Sequence, residues 1–335
     1  MKQTALTLLT ALLVSSVAGA LIVNGASANF LVPLPLIVIT SDGSITPQTG
    51  LIEKTGNVYS LTANLSQKYA ITIQRSNIVF DGKGYLINGS ASSYGGYANA
   101  GLTLDNVHNV TVKNIHVSGF GMIDIYLNAS AYCSVLNVTA GFIYVGGAGN
   151  QIADCSIGKL HLENTEKNTI TKNNITDILM VEDANDTSIT KNNIYQIFYR
   201  DHNDGNIFLE NNFWCGRGEP YSLHFFEYTG TTLWDNGSVG NYWFDYDGKD
   251  LDFNGVGDTP YFLKTKVFDE SANKAVDVVI AQDNYPLMTP YSSKQDAPNS
   301  SQTTFLTVLA VASASAAVGA GLFVHQRKRR RSPKT

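Results

Sequence analysis

Between residues 110 and 213, short segments of alternating apolar and polar positions recur about every 19 residues. The hexapeptide Ile-Thr-Lys-Asn-Asn-Ile stands at 170–175 and again at 189–194, and related segments end at Ile115, Val138, Ile157 and Phe213. The steps between successive segment ends are 23, 19, 18, 19 and 19 residues. Alternation with a period of two predicts strands. A repeat of this length is too short for a helix pair and predicts one coil of a parallel β-solenoid.

Aligning the repeats produces two apolar columns and one column of asparagines. The first apolar column is Ile115, Val138, Ile157, Ile175, Ile194 and Phe213, and the second is Val110, Cys133, Ile152, Ile170, Ile189 and Phe208. The polar column is Asn114, Asn137, Ser156, Asn174, Asn193 and Asn212. Because coils stack, each apolar column predicts a continuous core. Asparagine tolerates left-handed backbone geometry, so its column predicts a corner of the coil with amides bonded from coil to coil.

The pattern predicts an all-β, right-handed parallel β-helix over 29–213, with N-terminal cap strands and a C-terminal cap over 214–290. A leucine-rich horseshoe also has a short period, but its L-x-x-L-x-L pattern is missing. Terminal coils need such caps because open strand edges pair with other chains.

Both ends of the chain differ from this repeat. Residues 1–28 have the charged start, apolar run and A-x-A site of a secretory signal, with an uncleaved signal anchor as the alternative. After a linker over 291–302, residues 303–324 are uncharged and long enough to predict a transmembrane helix. The basic tail over 325–335 predicts a cytoplasmic C-terminus. We therefore expect a single-pass cell-membrane protein with most of its chain outside.

Composition and charge narrow the class of partner. The chain is 44% apolar and only 15% charged, which favours a turn-rich β protein with a sizeable core. Residues 29–302 contain 16 Lys plus Arg against 28 Asp plus Glu, a net charge of −12. A phosphate backbone would be repelled, so we expect no nucleic-acid partner.

Several segments resemble the NosD-like parallel β-helix proteins of the carbohydrate-binding and sugar-hydrolysis (CASH) group, which is common among exported archaeal proteins. They are SNIVFDGKGYLING, the ITKNNI coils, GNYWFDYDGKDLDFNGVGDTPY and DNYPLM, and the likeness extends over about residues 41–288. The resemblance implies polysaccharide binding or cleavage, and for NosD itself copper-enzyme maturation. Copper prefers clustered Cys, Met or His ligands, whereas these residues are scattered here, so we expect no copper site.

One loop has the spacing of a calcium site. Oxygen ligands at Asp250, Asp252, Asn254 and Asp258, a glycine at 255 and the carbonyl of Val256 match the first part of an EF-hand-type loop. Position 12 is a tyrosine instead of the bidentate glutamate. The sequence predicts a structural calcium site, or alternatively an acidic turn without an ion.

The segment YRDHNDG holds the densest set of possible catalytic groups, namely Arg200, Asp201, His202 and Asp204. Cleavage of a polysaccharide needs closely placed carboxylates acting as acid and base. Polar residues at a solenoid corner are also what a solvated loop contains, and both interpretations stay open.

Aromatic residues near the end of the repeat are candidates for stacking on sugar rings, above all Tyr199, Trp214 and Trp243. The sequence therefore predicts a non-enzymatic protein that binds a polysaccharide or surface glycan, or has a structural or adhesive role. A polysaccharide hydrolase or lyase is the alternative.

Overall fold

The computed structural model describes residues 36–66, 69–89, 100–214, 223–229, 231–269 and 273–292. Throughout these ranges the regular structure is β, with no helix. None of these residues forms a helix long and apolar enough to cross a membrane. The predicted signal (1–28), transmembrane helix (303–324) and basic tail (325–335) lie outside the described ranges.

Twenty-four strands are described. They are β1 (Leu36–Ile39), β2 (Ile45–Thr46), β3 (Ile52–Thr55), β4 (Val58–Leu61), β5 (Leu65–Ser66), β6 (Ala70–Ile73), β7 (Ile78–Asp81), β8 (Leu86–Asn88), β9 (Leu102–Asp105), β10 (Val110–Ser118), β11 (Ile125–Asn128), β12 (Ser134–Val145), β13 (Gln151–Ala153), β14 (Ser156–Glu166), β15 (Thr169–Thr171), β16 (Asn174–Asn185), β17 (Ser188–Thr190), β18 (Asn193–His202), β19 (Ile207–Leu209), β20 (Asn212–Phe213), β21 (Leu223–Thr229), β22 (Tyr242–Trp243), β23 (Tyr261–Asp269) and β24 (Lys274–Asp283).

The strands form three rows in which each coil pairs in parallel with the next. The first row consists of β1, β6, β9, β11, the end of β12, and the second halves of β14, β16 and β18, followed by β21. The second row includes β4, β7, β10, β12, β13, β15, β17 and β19, and the third includes β8, β20 and β22. Hairpins β3–β4 and β23–β24 are antiparallel. The predicted parallel β-solenoid is confirmed.

Ile115 pairs with Val138 as aligned, but the register between the second and third aligned coils differs by two residues from the sequence alignment. Ile157 pairs with Ala140 and not Val138, and Ile152 pairs with Val135 and not Cys133. All these side chains are nevertheless buried. Side chains two positions apart point to the same face of a strand, so a slip of two residues leaves the apolar pattern unchanged.

The predicted asparagine column also needs correction. Left-handed backbone occurs at Asn114 and Asn137 as expected, but in the following coils it falls on Asp154, Lys172, Lys191 and Glu210. The residue after this corner points inward and is buried. In the first three aligned coils this residue is Ile115, Val138 or Cys155. In the coils that follow, the buried position is taken by Asn173, Asn192, Asn211 and Asn241.

These four buried asparagines form a continuous ladder. The Oδ1 of Asn192 accepts hydrogen bonds from the backbone N of Asn173 at 2.9 Å and from its Nδ2 at 3.0 Å. The Nδ2 of Asn192 donates to the carbonyl of Ile170 at 2.9 Å and to the Oδ1 of Asn211 at 3.0 Å. The ladder satisfies the backbone groups that the corner removes from the strand pairing, which a buried site requires.

Aromatic rings continue the apolar columns at the C-terminal end. Phe213 stacks on Trp243 and Trp243 on Tyr261, each with ring centroids 4.3 Å apart, and Phe208 stacks on Trp234 at the same distance. Coil stacking thus continues past Phe213 through β22.

Candidate functional site

The outward side of the first row carries an unusual column of side chains. Tyr126, Tyr144, His161, Met180 and Phe198 are paired in successive coils from β11 to β18. The rings of Tyr126 and Tyr144 meet edge to face with centroids 5.2 Å apart, and those of Tyr144 and His161 at 4.9 Å. We call this column, with the polar column beside it, the outer strip.

The polar column contains Asn128, Glu163, Glu182 and Arg200, two positions along each strand from the first column. Glu163, Glu182 and Arg200 are in direct register. The Arg200 Nη2 donates to the Glu182 Oε2 at 2.8 Å, and its Nε lies 3.1 Å from the Oδ2 of Asp201. At the other end, the amide of Asn128 donates to Asp105 Oδ1 at 3.0 Å.

The two columns meet in a group of three side chains that we call the carboxylate cluster, made of His161, Glu163 and Glu182. The His161 Nε2 lies 3.5 Å from Glu182 Oε2 and 3.8 Å from Glu163 Oε2. All three ligand atoms lie within 4.8 Å of one another. The hydroxyl of Tyr144 donates to Glu163 Oε2.

The cluster is buried although it lies on an outward face. His161 is 8% exposed and Glu182 3%. Burial lowers the pKa of His161, against the opposing effect of the two carboxylates. Among the described residues, neither His161 Nε2 nor Glu182 Oε1 has a hydrogen-bond partner.

One extra residue in β16 sets the register of the cluster. Between Ile175 and Ile178, β16 is one residue longer than the facing segments of both β14 and β18. The bulge keeps Leu179 and Val181 in the core and places Glu182 outward, opposite Glu163.

The segment YRDHNDG does not form a single site. Arg200 bonds Glu182 on the outer strip and also contacts Asp201, whose backbone is left-handed at the corner. His202 has a side chain 87% exposed, with its Nδ1 3.9 Å from Asp183. The Oδ1 of Asp204 accepts hydrogen bonds from the hydroxyl and backbone N of Thr231, which lower the pKa of Asp204. Asp204 therefore stabilises the contact between its own corner of the solenoid and Thr231.

The aromatic candidates need a correction. Tyr199 and Trp243 are buried, because Tyr199 follows Val181 in a core column and Trp243 follows Phe213. Their ring faces are covered by other side chains. Trp214 is half-buried, and its Nε1 donates to Asn193 Oδ1 at 3.4 Å.

The calcium-type loop has the expected turn but internal hydrogen bonds at its carboxylates. Gly255 has a φ of +86°, as a sharp turn at position 6 requires. Asp250 accepts from the backbone N of Asn254 at 3.1 Å and of Gly255 at 2.8 Å, and Asp258 from that of Leu251 at 2.6 Å. Asp252 accepts from Asn254 Nδ2 at 2.9 Å, and Val256 bridges to Leu287.

The sequence did not single out His161, Glu163 and Glu182, and the repeat contains only a weak signal of them. Residues 163, 182 and 200 are separated by 19 and 18 residues, whereas the core residues Ile157, Ile175 and Ile194 of the same coils are separated by 18 and 19. Each follows a pair of apolar residues with one residue between them. Extending the core alignment outward would place Val181 opposite Glu163, because β16 has one extra residue between Ile175 and Ile178, so the alignment alone hides this column.

No family model matches this chain, and no curated protein matches its sequence.

Proposed function

We propose that the protein binds a linear polysaccharide along the outer strip, without cleaving it, on the outside of the membrane that its terminal segments predict. The observation that carries this proposal is the paired column of aromatic and polar side chains on the outward side of the first row. Aromatic faces and edges contact the apolar sides of sugar rings, and amides, carboxylates and guanidinium groups bond hydroxyls.

The strip is long and narrow, as a binding site for an extended ligand needs to be. It extends over the coils of β11, β12, β14, β16 and β18, and neighbouring parallel strands lie about 4.8 Å apart. Its length is therefore roughly 19 Å. A polymer lying along the solenoid axis would meet a ring or a methionine at each coil, with a polar side chain beside it in every coil except that of β12, where the position is Gly146.

The charges support a neutral or basic glycan. The strip contains the carboxylates of Glu163 and Glu182 against the single guanidinium of Arg200, and residues 29–302 have a net charge of −12. A polyanionic polymer would be repelled by both.

Burial is the reason that we place binding ahead of cleavage. A general acid or base must lie within hydrogen-bond reach of the bond that it acts on. His161 and Glu182 are almost covered, and Glu182 is held by Arg200. Cleavage remains the second candidate because a histidine, two carboxylates and an arginine lie together on the strip.

Membership of the NosD-like CASH group is part of this proposal, supported by the solenoid fold and the quoted motifs. So is a structural calcium ion at the 250–258 loop, supported by its ligand spacing and the left-handed Gly255.

The test is incubation of the full-length chain with a panel of neutral, basic and acidic polysaccharides, measuring retention on each polymer and the appearance of new reducing or unsaturated ends. Retention without new ends supports binding. New ends would establish an enzyme. The absence of both retention and new ends would contradict both proposals.

A further inference from the structure

We propose that the carboxylate cluster, His161, Glu163 and Glu182, binds a divalent transition-metal ion of the zinc class. The site does not depend on glycan binding, because its ligands and their test involve the ion alone.

The first observation is the convergence of three ligand atoms that all have lone pairs. His161 Nε2 lies 3.5 Å from Glu182 Oε2 and 3.8 Å from Glu163 Oε2. A tetrahedral zinc ion with bonds of about 2.0–2.1 Å places its ligand atoms roughly 3.3–3.5 Å apart. The two histidine–carboxylate distances are at or slightly above this range, and all three ligand atoms lie within 4.8 Å of one another, so a bound ion would draw the carboxylates inward.

The second observation is that two of these side chains have unpaired polar atoms in the interior. His161 Nε2 and Glu182 Oε1 have no hydrogen-bond partner within the described part of the chain, and their residues are 8% and 3% exposed. Buried polar atoms without partners are costly, so each one in a native structure needs an explanation. A cation bound by His161 Nε2 and by both carboxylate oxygens of Glu182 would give both unpaired atoms a partner.

The cations around the cluster do not neutralise its carboxylates, so a divalent cation would be electrostatically favoured there. Arg200 contributes one positive charge to Glu182 but is shared with Asp201, and Tyr144 donates only a neutral hydroxyl to Glu163. Lys159, the other nearby cation, has its Nζ 4.7 Å from the centre of the Phe142 ring. The carboxylates therefore remain in excess over the cations that contact them.

The donor set selects the class of ion. One imidazole with two carboxylates favours zinc, manganese or iron over calcium or magnesium, which prefer all-oxygen sites. Three protein ligands leave a position for water, as in open zinc sites. Glu163 has a side chain 29% exposed and marks the side from which an ion enters.

The ion would join two coils. His161 and Glu163 come from β14 and Glu182 from β16, which are neighbours in the first row. Binding would therefore stabilise the stacking of these coils and fix the middle of the outer strip.

The experiment uses the full-length chain, freed of metal by a chelator that is then removed. Zn²⁺ is titrated calorimetrically, and Co²⁺ is added as a spectroscopic probe whose visible absorption reports nitrogen and oxygen ligands in a tetrahedral site. We expect one ion per chain at this site, a higher melting temperature with Zn²⁺, and Co²⁺ absorption displaced by Zn²⁺.

The variants His161→Gln, Glu182→Gln and Glu163→Gln keep side-chain size, and each should weaken Zn²⁺ binding at least ten-fold. Glu163→Gln is the safest for folding because its side chain is the most exposed of the three. His202→Gln removes a solvent-exposed histidine and should leave binding unchanged. The proposal is overturned if the folded wild-type chain binds neither ion, or if folded Glu163→Gln or His161→Gln binds Zn²⁺ as the wild type does.

Discussion

The Nε1 of Trp243 donates a 2.9 Å hydrogen bond to the Oδ2 of Asp283 in the interior of the C-terminal end. The same carboxylate oxygen accepts the backbone N of Asn241 at 2.7 Å. Asn241 is the last member of the asparagine ladder, and Trp243 belongs to the aromatic stack. One side chain at the end of β24 therefore completes both columns.

Asp283 gives the protein a predicted pH dependence. Burial raises the pKa of its carboxyl to about 6, although hydrogen bonds from Trp243, Asn241 and Tyr285 oppose this. The folded chain therefore holds this proton more strongly than the unfolded chain, whose carboxyl has the ordinary pKa of 3.8. The contribution of this carboxyl to the free energy of unfolding should therefore fall by up to about 3 kcal/mol as pH rises from about 4 to about 6.

The measurement is denaturant unfolding of the wild type and Asp283→Asn at several pH values between about 4 and 7. The wild type minus variant difference should decrease with rising pH, since the amide does not ionise. Asp177→Asn, at an exposed position of β16, controls for the change in net charge. A difference that does not vary with pH would refute the assignment.

The asparagine ladder should be the most sensitive polar feature of the fold. Replacing Asn192 with leucine leaves the backbone N of Asn173 and the carbonyl of Ile170 without their side-chain partner. Each unpaired buried group costs about 1–3 kcal/mol, so we expect a loss of roughly 2–6 kcal/mol in the free energy of unfolding. The neighbouring half-buried Asn193, replaced in the same way, should cost less. Equal losses for the two variants would contradict the ladder's role.

Arg200 should stabilise the chain through Glu182 and not as a catalytic group. Arg200→Gln leaves a buried carboxylate without its cation, and we expect a loss of about 1–3 kcal/mol because the arginine itself is partly exposed. Glu182→Gln in the same chain should recover most of it. Lys191→Gln, which breaks the more exposed pair with Glu210, should cost under about 1 kcal/mol. Additive losses in the double variant would exclude the coupling.

Calcium should raise the melting temperature by a few degrees once metal has been removed, because an ion bound only by the folded chain stabilises it. Asp250→Asn should abolish this response, whereas His161→Gln should retain it, since the two sites share no residue. Melting that does not respond to calcium would contradict an occupied loop.

The repeat made the solenoid predictable because stacking turns an alignment column into a line of contacts. Ile170, Ile175, Ile189 and Ile194 are core residues as the alignment implies. The alignment could not detect the two-residue slip at Val138, because strand periodicity hides it.

The site was less predictable for two reasons. Tryptophan and tyrosine are common at exposed binding sites, but Trp243 and Tyr199 are buried because they occupy positions in the core columns. The carboxylate cluster depends on a bulge in β16, and a bulge of one residue has no sequence signal as strong as a repeat.

Binding of a glycan by the outer strip is tested by the affinity of the full-length chain for the polysaccharide that it retains. Tyr126→Ala removes an aromatic contact of the strip away from the carboxylate cluster, and Tyr132→Ala removes a tyrosine that is 70% exposed at a corner outside it. We predict that Tyr126→Ala weakens binding roughly five-fold or more, as expected for an aromatic contact worth about 1 kcal/mol, while Tyr132→Ala has no effect. Equal affinities for wild type and Tyr126→Ala, or no retention on any polymer, would contradict the claim.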